Sequence, residues 1–218
     1  MNKILTIYLF NRKQNPNLII LSVISILLML LRVKLTYNMY LLFLIWNLFL
    51  GYVPYFMSSQ LKSTVPGTYK FYLLLIGWLL FIPNSFYLLT DFVHLHHHSD
   101  LQYIFDALLL TFFSIAGFYA GISSMLHIHG LLEMKYSSQK SKYVMITLCY
   151  LSSFGVYLGR ILRFNSWDIV SNPIKLFSNI LSSLQHFQTY EFVTLFGTFI
   201  LIVYSISHLL SDNKTIKS

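Results

Sequence analysis

Asp91 and His94 sit three residues apart inside a run otherwise apolar enough for lipid, Trp78 to Leu95, read as WLLFIPNSFYLLTDFVHL. A carboxylate at the bilayer centre costs roughly 2.5–3.5 kcal/mol on insertion scales. Pro83, in the same run, gives up a backbone hydrogen bond that lipid cannot replace. The fold must offset both, so chemistry is sought here first. A carboxylate beside an imidazole can act as acid and base, or hold a divalent ion through oxygen and nitrogen. Asp91, His94 and Asp106 form the candidate metal set. At 100° per residue, Asn84, Tyr87, Asp91 and His94 fall within an arc of roughly 80°. Such a stripe must face the bundle interior and not lipid. Pro83 frees the carbonyl of Leu79, and the side chain of Asn84 is a candidate to satisfy the break.

A second group follows at Arg160, Arg163, Asn165, Ser166, Trp167 and Asp168. Two arginines three apart share a helix face, and side by side they clamp a carboxylate or phosphate. The catalytic candidates are therefore Asp91, His94, Arg160, Arg163 and Asp168, with Asn84, Tyr87, Thr90, Asn165 and Trp167 as substrate contacts. A plainer reading competes with this: Asp91 pairs with Arg160 or Arg163 and locks the helices. Three acids (Asp91, Asp106, Asp168) against two arginines leave a balance that a metal ion, a protonated acid or a cationic ligand would complete. Consecutive histidines such as His96, His97 and His98 are commonly a solvated tract, and His94, on the face of Asp91, is the better ligand. His127 and His129 fall near the other end of the fourth span and lie apart from this group.

The elements that position these residues are membrane spans. Of 218 residues, 56% are hydrophobic and 10% are charged, against about 25% charge in a soluble domain. Apolar runs near 20 residues recur along the chain, which makes it an all-α polytopic helix bundle in one integral membrane domain, residues 1–218. Barrel strands would alternate apolar and polar residues, and these runs do not. Six spans are expected, at Leu18–Leu31, Tyr37–Met57, Phe71–Phe92, Tyr103–Leu126, Tyr143–Leu162 and Phe192–Leu210. The first is short and needs Arg32 and Lys34 to snorkel. Ser171-Asn172-Pro173 reads as a capped helix start. Ile174, Phe177, Ile180, Leu181, Leu184 and Phe187 then share one face, as in an amphipathic helix on the membrane surface or one packed on the bundle.

Ten basic residues fall on one set of ends (Lys3, Arg12, Lys13, Lys62, Lys70, Lys135, Lys140, Lys142, Lys214, Lys217) and five on the other (Arg32, Lys34, Arg160, Arg163, Lys175). The positive-inside rule puts both termini in the cytoplasm and the candidate site on the outer side. The net charge of +8 is spread through short loops with no basic stripe, which excludes nucleic acid as a partner. Cys149 has no second cysteine to pair with. The N-terminal run Ile4–Phe10 is short, precedes Arg12 and Lys13, and lacks a small-residue cleavage site, so it does not read as a signal peptide.

Two motifs carry a resemblance. The first is Trp78-x4-Pro83-Asn84-x2-Tyr87-x2-Thr90-Asp91-x2-His94-Leu95, and the second runs Gly155-Val156-Tyr157-Leu158-Gly159-Arg160-x2-Arg163-Phe164-Asn165-Ser166-Trp167-Asp168. Asn47-Leu48 followed by Pro54 adds a weaker echo, and Tyr103-Ile104-Phe105-Asp106 departs slightly from the pattern. The chain resembles a family of uncharacterised bacterial multi-spanning membrane proteins, known as a domain of unknown function. The resemblance implies a bacterial cytoplasmic-membrane protein in which both motifs meet at one site, and it implies no activity. Three functions stay open: an enzyme acting on an anionic or lipid-linked substrate, with or without a divalent metal; a small-molecule or ion transporter, suggested by Pro54 and Pro83 as helix interruptions; and a non-catalytic partner in envelope assembly.

Overall fold

The computed structural model describes residues 16–96, 99–164 and 171–216. Among these the regular elements are helices: α1 (Pro16–Thr36), α2 (Phe43–Ser63), α3 (Tyr69–Tyr87), α4 (Asp100–Lys135), α5 (Ser138–Arg160), α6 (Pro173–Ser183) and α7 (Phe187–Ile216). Short 3-10 segments stand at Tyr40–Leu42 and Leu88–His94. Five stretches are long and apolar enough to cross a membrane: Pro16–Thr36, Tyr40–Ser63, Tyr69–His94, Asp100–Lys135 and Phe187–Asp212. The chain is a polytopic helical membrane protein. The expected fifth span coincides with α5, whose 23 residues suffice in length but include Lys140, Lys142 and Arg160 besides several serines, so it is less apolar than the five.

Local sequence explains the helix boundaries. Thr68 caps α3 by accepting from the Phe71 amide at 3.3 Å, and Ser137 caps α5 by accepting from the Lys140 amide at 3.5 Å. These are positions where a hydroxyl serves an otherwise unpaired amide. Three expectations need correcting. Helix α1 runs 21 residues, about 32 Å at 1.5 Å per residue, so the first span covers the bilayer without snorkelling by Arg32, which is 2% exposed. Pro54 and Pro83 lie inside continuous helices and interrupt neither α2 nor α3. Asn172 stands before Pro173 but makes no side-chain cap; its amide donates to the Ser171 hydroxyl instead.

The chain divides into two compact units, Met1–Ser124 and Met125–Ser218, with the boundary inside α4. In the first unit α3 packs on α2 and α4 through small residues and buried hydroxyls. The Trp78 indole donates to Ser124 Oγ at 2.6 Å, and Ser124 donates to the Pro54 carbonyl at 3.1 Å. Ser85 donates to the Gly51 carbonyl at 2.6 Å. A Cβ at Gly121 would lie 2.8 Å from Ser85 Cβ and 2.9 Å from Phe86 Cε1, and one at Gly117 would lie 3.0 Å from the Ser85 carbonyl. Close backbone approach through small residues is how helices associate in lipid, where burial of apolar surface gives no drive. Met29, Leu44, Leu48, Leu88, Leu109 and Phe113 fill the rest of this core.

In the second unit α5 packs on α7, with the Tyr150 hydroxyl 3.1 Å from Thr198 Oγ1. Helix α6 turns Ser183 inward and leaves Ile174, Phe177 and Leu181 exposed. Its apolar face is thus uncovered by protein, as a helix lying in a membrane interface requires.

Gly121→Val should overpack the α3–α4 contact, at a cost of about 1–3 kcal/mol. Gly130→Ala, whose new methyl would meet nothing within 4 Å, should leave stability unchanged or slightly raised. Thermal unfolding in detergent compares the two; equal midpoints would mean that the close approach is unimportant.

Candidate functional site

Asp91 is fully buried. It lies in the 3-10 segment Leu88–His94, which continues α3 with a tighter winding. Runs of 3-10 beyond three or four residues are uncommon, and this seven-residue segment is tied from outside. Ser114 on α4 donates to the Leu88 carbonyl at 2.9 Å and Asn47 on α2 donates to Asp91 Oδ2 at 3.0 Å, while within the segment Thr90 donates back to the Tyr87 carbonyl at 2.6 Å. In a 3-10 winding residues three apart eclipse, so Asp91 and His94 share a side, as expected. The single α-helical stripe from Asn84 to His94 does not persist through the change of winding. Asn84, half-buried, donates to the Phe81 carbonyl at 3.2 Å, and Tyr87 ends the α-helical part.

Asp106 meets Arg32. The guanidinium grips both carboxylate oxygens, Nε to Oδ1 at 2.8 Å and Nη2 to Oδ2 at 3.2 Å, and its Nη1 donates to the Asn38 carbonyl at 2.7 Å. The two side chains are 2% and 7% exposed. The turn that presents Asn38 is set by Tyr37 at φ 51 and by Asn38 Oδ1, which accepts from the Tyr40 amide at 2.8 Å. Composition points to Arg32 as an interfacial anchor; the structure makes it the buried counter-charge of Asp106. The apparent excess of acids is reduced accordingly, and Asp106, expected as a third metal ligand, has both oxygens engaged.

Above this pair lies a cavity of about 300 Å³ lined by Arg32, Asn38, Tyr40, His94, His96 and Asp106. The Tyr40 hydroxyl is 3.1 Å from His94 Nδ1 and 3.3 Å from His96 Nε2. Phe43 holds the His94 ring edge-on with centroids 4.9 Å apart. One hydroxyl carries one proton, so it cannot donate to both imidazoles at once, and at least one ring must present N–H to the tyrosine oxygen. The three groups can therefore pass a proton among themselves. Tyr40 and Asn38 carried no signal in sequence, since they flank a span end like many residues here. His96 was visible only as part of a histidine tract.

Arg160 and Arg163 belong to the second unit. Helix α5 ends at Arg160, and Arg163 lies beyond it at φ 59, with the reversal closed by the Phe164 amide donating to the Leu158 carbonyl at 3.0 Å. The two arginines therefore do not share a helical face. Arg163, Asn172, Lys175 and Asn179 line a cavity of about 370 Å³ with Leu162 and Phe164. Asn165, Ser166, Trp167, Asp168, His97 and His98 lie outside the described residues.

Five helices long and apolar enough to cross a membrane define an integral membrane protein, and its first unit holds buried, paired polar groups beside a polar cavity. A family described as "Protein of unknown function (DUF1361)" matches residues 46–203, and the chain belongs to it. Among curated proteins and among solved structures, nothing matches.

Breaking the buried pair should be costly. Asp106→Ala should destabilise by about 3–5 kcal/mol, because it strands the Arg32 charge. The double replacement Arg32→Met, Asp106→Leu should regain most of that loss. Unfolding midpoints of the two variants in detergent decide this; a double variant no better than the single one would show that the pair is not a closed electrostatic unit.

Proposed function

We propose that this protein is an enzyme of the bacterial cytoplasmic membrane that works by acid–base chemistry at Tyr40, His94 and His96 on an anionic or lipid-linked substrate. One observation carries the reading: a tyrosine hydroxyl lies within 3.3 Å of two imidazole nitrogens at a cavity. An imidazole is the side chain whose ordinary pKa suits proton transfer near neutrality. The Arg32–Asp106 pair forms a rigid, neutral floor, and Asp91 holds the 3-10 segment that carries His94. Acid–base groups are preferred to a metal set at this place because Arg32 holds both oxygens of Asp106 and Asn47 donates to Oδ2 of Asp91. In the second unit, Arg163 and Lys175 give the other cavity the charge to take a carboxylate or phosphate in its own right.

In this reading the positive-inside bias sets both termini in the cytoplasm and opens the Tyr40–His94 cavity toward the outer leaflet, where phospholipid head groups supply anionic and lipid-linked substrates. Leu101, in the first turn of α4 at that same end, is 81% exposed; Gln139, in the first turn of α5 beyond the other end of α4, is also exposed. Leu101→Cys should therefore react with an impermeant maleimide on intact cells, and Gln139→Cys only after lysis. The natural Cys149 is buried and gives little background. The reverse pattern would invert the topology.

Activity is to be sought in nanodiscs of defined anionic lipids or carrying isoprenoid-linked phosphates, with products read by mass spectrometry. His94→Gln and Tyr40→Phe should each lower turnover by about 10²-fold or more, in the range of a lost general acid or base, while folded yield is kept. Turnover unchanged in both variants would overturn the acid–base assignment. Flux of an ion or solute into proteoliposomes, with no covalent product, would favour a transporter.

A further inference from the structure

The second unit holds a histidine–carboxylate cluster that the pocket at His94 does not use. Helix α4 carries His129 and Glu133 four residues apart; helix α7 carries His208 and Asp212 with the same spacing. A spacing of four puts both groups of each pair on one helix face. His129, Glu133 and His208 each offer a ligand atom within 4.8 Å of the other two, and they are the one such set among the described residues. The imidazole centroids of His129 and His208 are 4.3 Å apart.

Three features mark this as a built site. His129 is 2% exposed, yet its Nε2 has no hydrogen-bond partner. A buried polar atom in that state costs about 1–3 kcal/mol, and its nearest carboxylate oxygen, Glu133 Oε1, stands at 3.6 Å, too far for a hydrogen bond. Next, the other nitrogen of each ring is already held: His129 Nδ1 lies 2.6 Å from the Tyr204 hydroxyl, and His208 Nδ1 lies 3.1 Å from Asp212 Oδ2. Imidazoles that bind metals ordinarily have the second nitrogen oriented in this way by a carboxylate or other oxygen. With Nδ1–H given to the Tyr204 oxygen, the Nε2 lone pair of His129 is available. Finally, the separations suit a small ion. Ligands at 2.0–2.2 Å from a tetrahedral centre stand about 3.3–3.6 Å apart, so the 3.6 Å gap between His129 and Glu133 has the width that an ion would bridge.

We propose that His129, His208 and Glu133 bind one divalent transition-metal ion of the zinc class, with Tyr204 and Asp212 as orienting partners and a fourth position open to water or a ligand. Two neutral imidazoles and a carboxylate match such an ion better than calcium or magnesium, which take oxygen shells. Under the orientation proposed above, this site belongs to the cytoplasmic side.

The test uses full-length protein without a histidine tag, stripped with chelator and titrated with Zn²⁺ and Co²⁺ in detergent. Ion content per chain, the visible absorption of bound Co²⁺, and the unfolding midpoint are read together. The wild type should hold one ion at this site, show the strong visible bands of low-coordinate Co²⁺, and unfold at higher temperature with Zn²⁺ present, as binding to the native state requires. Glu133→Gln and His208→Gln replace partly exposed side chains and should fold; both should lose the Co²⁺ bands and the thermal shift. Tyr204→Phe should weaken the ion by about 10–100-fold. His96→Gln separates this site from the histidine tract after α3 and should keep the signal. A wild type without Co²⁺ bands, or bands retained in both Glu133→Gln and His208→Gln, would overturn the proposal.

Discussion

Arg32 cannot leave the bundle, and much of the first unit follows from that. A guanidinium is never deprotonated in practice, so once it is buried it must be answered in place. Asp106 answers it with both oxygens, 74 residues further along the chain, and the Asn38 carbonyl takes a further N–H. This demand fixes the second turn of α4 against the C-terminal end of α1 and draws in the turn at Tyr37–Tyr40. The cavity lies over the pair and borrows its rigidity. Such a pair contributes little net stability against a well-packed apolar alternative, because desolvation offsets the attraction. Its value lies in register, since it ties one residue of α1 to one residue of α4.

The same constraint recurs in smaller form through the core. Lipid offers no hydrogen bonds, so each hydroxyl and indole in a span needs a protein partner. Trp78, Ser124 and the Pro54 carbonyl form one such chain; Ser85 with Gly51 and Ser114 with Leu88 form others. These bonds join α2, α3 and α4 where glycines allow the backbones to approach. The proline-bearing helices stay continuous within that packing, which removes the interruptions that would have favoured a transporter.

The candidate site residues stand where helices end. Asp91 and His94 ride on the tightened end of α3, Tyr40 on the 3-10 turn before α2, and Arg163 just past α5 in a left-handed conformation. Helix ends leave unpaired backbone groups that side chains must serve, as Thr90 and Asn38 do here. Polar residues therefore gather at these points for structural reasons, and the chemistry of a site can grow from them. The histidine–carboxylate pairs of α4 and α7 differ, because they sit within helices and depend on two helix faces meeting.

Much of this was legible in the chain itself. Apolar runs of bilayer length dictated helices and excluded a barrel, because only internally bonded backbone survives in lipid. Ser171-Asn172-Pro173 marked the start of α6, where Pro173 opens the helix although Asn172 does not cap it. The burial of Asp91 followed from the cost of a carboxylate in lipid, and its shared side with His94 from their spacing of three. Other features are not local and could not be read there. Periodicity gives a face and not the partner it meets, so Arg32 with Asp106, Tyr40 between two histidines, and His129 beside His208 required the packed bundle. The 3-10 segment from Leu88 is held by bonds from α2 and α4 and so was also decided by tertiary structure. The sequence by itself determined which residues could not face lipid; the packed helices decided which of them face one another.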